Sequence, residues 1–233
     1  MFLTNFYQDM DGTIQISREQ ASDFAKSIAG DFNPIHDVDA KRFCVPGDLL
    51  FALVLNKYGV SQHMHFTFSG MVGDNVELIF PEMTDAEIII KDITDKTYLS
   101  IQHSGENNAN PNLSENLSRR YVEFSGQTFP HILVPLMAEH NVMVNPARPL
   151  VIYESMTINI DQLDISEPEL SLTESKLDVD GKRGNVSLKF SVSDKGKIVG
   201  SGEKTMVMSG LRDFEQAAID QLVDDYAARK QAY

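Results

Sequence analysis

One short stretch constrains this chain more than any other. Leu49-Leu50-Phe51-Ala52-Leu53-Val54-Leu55-Asn56-Lys57-Tyr58 has helix-forming composition, is introduced by Val45-Pro46-Gly47-Asp48 and ends at Gly59. Pro46 and Gly47 suit the start of a helix, and Gly59 suits its stop. The segment is apolar on every side, so it predicts a buried helix rather than a surface one. A buried helix of this length needs other elements wrapped around it. His65 to Phe68, Asn75 to Phe80, Ala86 to Lys91 and Thr97 to Gln102 read as four strands that could do so, with turns at Ser69-Gly70, Pro81-Glu82 and Asp92 to Lys96.

The order then recurs. Residues 104–118 are rich in Asn and Ser, contain Asn110-Pro111 and read as a linker. Pro130 to His140 is a second largely apolar helical stretch, with Pro135 expected to kink it. A gap containing Asn145-Pro146 follows, and then four further strands: Leu150 to Ile160, Glu169 to Val179, Asn185 to Val192 and Ile198 to Met208. Val186, Leu188, Phe190 and Val192 alternate as a half-buried strand requires. Residues 213–231 predict a last helix with Phe214, Ala218, Leu222 and Tyr226 on one stripe, packed outside a sheet. A buried helix inside an antiparallel sheet, present twice, is the double hot-dog arrangement, an α+β fold. The expected division is a first unit over 1–103, the linker over 104–118, a second unit over 119–212 and a C-terminal helix over 213–233.

Ahead of the buried helix, residues 2–8 and 13–16 read as two strands joined at Asp11-Gly12. Ser17-Arg18-Glu19-Gln20 is a capping box, and Ala21, Phe24, Ala25 and Ile28 continue at helical spacing. Gly30 sits where that helix should stop, and Pro34 forces Asn33 into extended backbone. Asp31 and His36 therefore leave the helix end on one tight loop. An acid and an imidazole so placed can take a proton from water and return one to a substrate. The plainer reading is a helix-capping acid beside a satisfied histidine.

Composition narrows the classes. A net charge of −14 argues against nucleic acid and anionic membranes as partners. The single cysteine, Cys44, suits a reducing cytoplasm. The first residues show no basic start, apolar core or cleavage site, so no signal peptide is expected, and no apolar run is long enough to span a bilayer. His63 and His65 would share a strand face, but no third metal ligand is placed by the sequence. Cys44 reads as a small buried residue, and no Ser or Cys lies in a nucleophile motif. Lys41-Arg42 and Arg119-Arg120 could meet a CoA phosphate, with solvated charge as the default.

Gly30-Asp31-Phe32-Asn33-Pro34-Ile35-His36 resembles the signature of the MaoC-like dehydratases and (R)-specific enoyl-CoA hydratases. Val45 to Leu50 resembles that family's entry to the central helix, and His65 to Phe68 with Val72 to Val76 resembles the elements that follow. The likeness covers about residues 17–80; the second half resembles only a degenerate hot-dog unit. The whole chain is also compatible with a bacterial family of this length to which no function attaches. The resemblance implies that Asp31 and His36 activate a water that adds to a trans-2-enoyl thioester, giving an (R)-3-hydroxyacyl product or the reverse. It implies that Asn33 fixes the loop, that the Gly47 N–H faces the thioester oxygen, and that no metal or other cofactor is used. The expected partner is an acyl-CoA or acyl-carrier-protein thioester, and the expected assembly is a monomer built as a pseudo-dimer, or a homodimer. Three positions depart from the pattern. The His36–Gly47 segment is short, Val38 stands where an acid is usual, and Asp48 stands where an apolar residue is usual. The alternatives are an acyl-CoA-binding or regulatory protein without catalysis, and an acyl-CoA thioesterase.

Overall fold

The computed structural model describes residues 2–84 and 87–233; Met1, Asp85 and Ala86, the last expected to open a strand, lie outside the described residues. Its centre is α2 (Gly47–Tyr58), in which every residue from Asp48 to Leu55 is buried. The elements before it are a hairpin, β1 (Gln8–Met10) and β2 (Thr13–Gln15), and α1 (Arg18–Asp23), which runs on through a wider π-helical turn, Phe24–Ala29. The hairpin turns at Asp11-Gly12 as expected, but residues 2–6 are not a strand. Leu3 and Phe6 are both buried, and the Phe6 N–H donates to the Leu3 carbonyl at 2.9 Å, a turn spacing rather than an alternating one.

After α2 come β3 (Val60–Phe68), β4 (Leu78–Ile79), β5 (Glu87–Asp92) and β6 (Thr97–Asn108). The second half supplies β8 (Val151–Ile160), β9 (Pro168–Asp180), β10 (Arg183–Asp194) and β11 (Lys197–Ser209), while β7 (Val142–Met143) pairs separately with β12 (Arg212–Asp213). Ten strands form one antiparallel sheet in the order β1-β2-β4-β5-β6-β3-β8-β11-β10-β9. The halves join where β3 pairs with β8, His63 opposite Asn159 and Phe66 opposite Met156. The fold is the α+β double hot-dog, with central helices packed on one face of a long sheet.

The second central helix is not where the sequence reading put it. Residues 104–118 are no linker: they finish β6 and begin α3 (Pro111–Gly126), which packs against α2. Asn110-Pro111 is the helix start. The Asn110 side chain accepts from the Asn112 N–H at 3.0 Å, and Pro at the first position needs no donor. Leu113, Leu117, Tyr121 and Val122 form the buried stripe, and polar residues between them dilute the composition.

The stretch expected to be central, Pro130 to His140, is instead α4 (Thr128–His131) and α5 (Leu133–Glu139), which close a smaller core with Leu177, Val186, Leu188 and Met208. Pro135 lies in the first turn of α5, where it breaks no hydrogen bond and kinks nothing. The last helix, α6 (Gln216–Ala232), buries Ile219 and leans on this smaller core through Ala218, Leu222 and Val223; Phe214 precedes it. No helix among the described residues is long and apolar enough to cross a membrane.

Candidate active site

The loop after α1 is built from consecutive local devices. The capping box forms: the Gln20 N–H donates to Ser17 Oγ at 3.3 Å, and the Ser17 N–H to Gln20 Oε1 at 3.0 Å. At the other end Gly30 takes a left-handed conformation, φ +67°, which an L side chain adopts only at a cost of about 1–2 kcal/mol. The Asp31 N–H then reaches back to the Ala25 carbonyl at 2.8 Å. Asp31 Oδ1 accepts from the Asn33 N–H at 2.9 Å, and Asn33 Oδ1 accepts from the Ile35 N–H at 3.2 Å. These two Asx turns lead into a single 3₁₀ turn, Pro34–His36.

The loop brings Asp31 and His36 together, with Asp31 Oδ2 lying 3.7 Å from His36 Nε2. His36 Nδ1 is 2.6 Å from the Cys44 carbonyl oxygen. A carbonyl can only accept, so Nδ1 carries the hydrogen and Nε2 is the ring atom left for chemistry. The side chains are 12 % and 26 % exposed for His36 and Asp31, shielded but reachable. Cys44 itself is inert, because burial pushes its thiol up to about 12.

Gly47, the first residue of α2, backs onto aromatic rings. A Cβ there would stand 2.9 Å from Tyr153 Cδ1 and 3.2 Å from Phe68 Cε1. The next residue, Asp48, is the part of the site that the sequence reading left out. It is 7 % exposed, and its Oδ2 accepts from Ser125 Oγ of α3 at 2.6 Å. Lys204, 5 % exposed on β11, donates through Nζ to the same Ser125 Oγ and lies 4.3 Å above the Tyr153 ring. Tyr153 and Tyr121 hydrogen-bond to each other through their hydroxyls.

Burial pushes the Asp48 carboxyl above the usual carboxylate range. Lys204 and Ser125 pull it back, Asp31 pushes with burial, and His36 opposes. Burial and the nearby Asp48 charge hold the Tyr121 hydroxyl far above its ordinary value; at Tyr153 burial leads, with Tyr121 and then Asp48 adding to it. Sequence carried one signal for this cluster: Lys204 falls on the inward phase of β11 with Met206 and Met208, where an apolar residue belongs.

α6 holds the loop from outside. Tyr226 Oη donates to the Gly30 carbonyl at 3.1 Å and accepts from the Phe32 N–H at 3.3 Å. Burial, with Asp31 adding, pushes its hydroxyl up to about 12. Asp37 pairs with both Lys26 and Arg229.

The remaining candidates stand elsewhere. His63 and His65 bond to Asn159 and Thr157 across the β3–β8 seam, and among the described residues no three His, Cys, Asp or Glu side chains gather as a metal site would require. Lys41 and Arg42 are exposed, and Arg119 and Arg120 bond to Glu115 and Glu123 of their own helix.

A family model described as "Protein of unknown function (DUF3581)" matches residues 1–217. No curated protein matches the chain in sequence. Among solved structures, similar folds include a TesB protein of Mycobacterium avium subspecies paratuberculosis, at 9 % identity and TM-score 0.45 over 89 % of this chain and 97 % of that one. A "MaoC-like dehydratase" aligns at 9 % identity and TM-score 0.43, covering 88 % and 98 %. A hot-dog-fold protein of unknown function from Alicyclobacillus acidocaldarius aligns at 7 % identity and TM-score 0.45, covering 90 % and 98 %.

Proposed function

The chain belongs to the family described as "Protein of unknown function (DUF3581)", and we propose that it hydrates a trans-2-enoyl thioester of CoA or acyl-carrier protein, or runs the reverse dehydration. One observation carries the reading: Asp31 Oδ2 and His36 Nε2 face each other at 3.7 Å, with the ring's other nitrogen committed to Cys44. One water bridges such a gap with hydrogen bonds of ordinary length. Both atoms accept, so the water presents its oxygen to the substrate.

In the hydration direction that oxygen forms a bond to the β-carbon, and the π electrons move to the α-carbon and thioester oxygen. His36 Nε2 takes the water's proton and returns it to the α-carbon, while Asp31 orients the water and opposes the charge on the imidazolium. The free N–H groups at the start of α2, Gly47 included, face the developing enolate with the positive end of the helix dipole. The sum is one water added, one C–O and one C–H bond formed, and no electron gained or lost.

A second reading, thioester binding without turnover, draws on the Tyr153 and Phe68 rings packed over Gly47, where the thioester oxygen would have to approach. The test is loss of enoyl absorbance when protein is added to short and medium trans-2-enoyl-CoAs, with a thiol reagent present. Turnover without thiol release, reduced about 100-fold or more in Asp31→Asn and in His36→Ala, supports the hydratase. Thiol release identifies a thioesterase instead, and folded protein with no turnover on any chain length favours the binding module.

A further inference from the structure

Asp48 Oδ1 is buried and finds no hydrogen-bond donor among the described residues, in a residue that is only 7 % exposed. An unpaired buried carboxylate oxygen is costly and calls for a donor. The chain around the other oxygen has a fixed polarity. Ser125 owns one hydroxyl hydrogen and gives it to Asp48 Oδ2, so its lone pair receives the Lys204 ammonium. Lys204 is itself buried and needs a counter-charge, which an ionised Asp48 provides through the serine. In the ionised form that Lys204 calls for, Asp48 accepts only, and whatever binds Oδ1 must donate.

Backbone geometry sets the immediate neighbours of this carboxylate against the loop that carries the pair. Gly126, next to Ser125, abuts the α1–loop junction so closely that a Cβ there would lie 1.8 Å from the Ala29 carbonyl oxygen and 3.4 Å from the Asp31 nitrogen. Cys44, four residues before Asp48, holds the His36 ring. The charges of Asp31 and His36 both act on the Asp48 carboxyl.

We propose that Asp48 Oδ1 is the third acceptor of the site and binds the hydroxyl of a 3-hydroxyacyl thioester, or the water that becomes it, with Ser125 of α3 and Lys204 of β11 holding it in place. The ligand class rests on the hydratase reading, whereas the demand for a donor beside Asp31 and His36 does not. An enoyl or saturated acyl chain has no such donor, so Asp48 distinguishes hydroxylated ligands from the others.

Two measurements test this separately. A crystal structure of the unliganded protein should show a water on Asp48 Oδ1 that also reaches Asp31 Oδ2 or His36 Nε2. A protein donor on Oδ1, or a water touching neither partner, overturns the proposal. Calorimetric titration of wild type should then show (R)-3-hydroxybutyryl-CoA binding about ten- to a hundredfold more tightly than butyryl-CoA, the effect of one hydrogen bond to a charged group. Asp48→Ala, which removes both oxygens, verified as folded, should erase that preference, while Ser125→Thr should keep it. A preference that survives Asp48→Ala overturns the proposal. Neither thioester binding, with the shared water in place, sinks the hydratase reading and supports Asp48 as the water-holding acceptor.

Discussion

Replacing Lys204 by Met gives the sharpest view of how the site is held. The substitution keeps most of the buried stem, removes the ammonium and leaves Ser125 as the one named partner of Asp48 Oδ2. Breaking one side of a buried ion pair costs about 3–5 kcal/mol. Here the two charges communicate through Ser125 rather than by contact, so about 3 kcal/mol at neutral pH is expected. The pH dependence carries the diagnosis. Burial already holds the Asp48 carboxyl above its ordinary value, and Lys204 heads the forces that pull it back. A carboxyl whose folded value is raised keeps its proton longer in the folded chain. Stability then falls as pH climbs from the ordinary carboxylate range through the raised value. Without Lys204 that fall runs on to higher pH, so variant and wild type converge near pH 4 and separate towards pH 8, by about 1.4 kcal/mol for each further unit of elevation. The chain has no tryptophan, so urea unfolding is followed by far-ultraviolet circular dichroism. Adding Asp48→Asn to Lys204→Met removes the stranded charge, flattens the pH dependence and recovers about 2 kcal/mol. Costs that simply add to within about 0.5 kcal/mol, or a gap between Lys204→Met and wild type that does not change with pH, would refute the coupling.

Three other outcomes follow from single contacts. Gly126→Ala gains helix propensity but drives a Cβ into the Ala29 carbonyl, 1.8 Å from its oxygen and 2.7 Å from its carbon; a net loss of about 3 kcal/mol in urea is expected, and equal or greater stability would contradict the close approach. Tyr226→Phe keeps the ring on Phe32 and loses the hydrogen bonds to Gly30 and Phe32. The expected result is faster amide hydrogen exchange at Phe32 with a cost of about 1–2 kcal/mol, and unchanged exchange would remove α6 from the account of the loop. Cys44, with its thiol raised to about 12, stays protonated at pH 8, so iodoacetamide should label it only as the protein unfolds; rapid labelling of folded protein would show the thiol to be open.

The parts of this architecture that sequence exposes are those whose cause is local. α2 is legible because a helix apolar all round has one place to go. The Gly30–His36 loop is legible because each residue does a job for its neighbour: a left-handed stop, two Asx turns and a proline that starts the next turn. α3 was hidden because its buried stripe of Leu113, Leu117 and Tyr121 is thin and the residues leading into it are Asn-rich, so composition spoke louder than spacing. The Pro130–His140 stretch misled for the opposite reason, being apolar enough for the centre while serving a smaller core. Ser125 meets Asp48 across 77 residues and Lys204 meets Ser125 across 79, and no local pattern encodes such pairings.

Those long pairings also explain how a chain with a single Gly-Asp-x-Asn-Pro-x-His motif uses both halves of its sheet. β8, β9, β10 and β11 carry no second Asp/His loop. They bring Tyr153 over Gly47 and Lys204 to the serine that holds Asp48. β3 depends on the second half as well, because β8 completes its ladder. Cutting the chain after β6 would strip β3 of that ladder and α2 of its α3 neighbour, and leave Asp48 without either hydrogen-bonding residue of its relay. A buried carboxylate stripped of both partner and counter-charge takes up a proton or opens to water. Either response changes the acceptor beside Asp31 and His36. The motif-bearing half thus leans on its companion: burial raises the carboxyl at the start of its own central helix, and a lysine on the far half of the sheet leads what pulls it back.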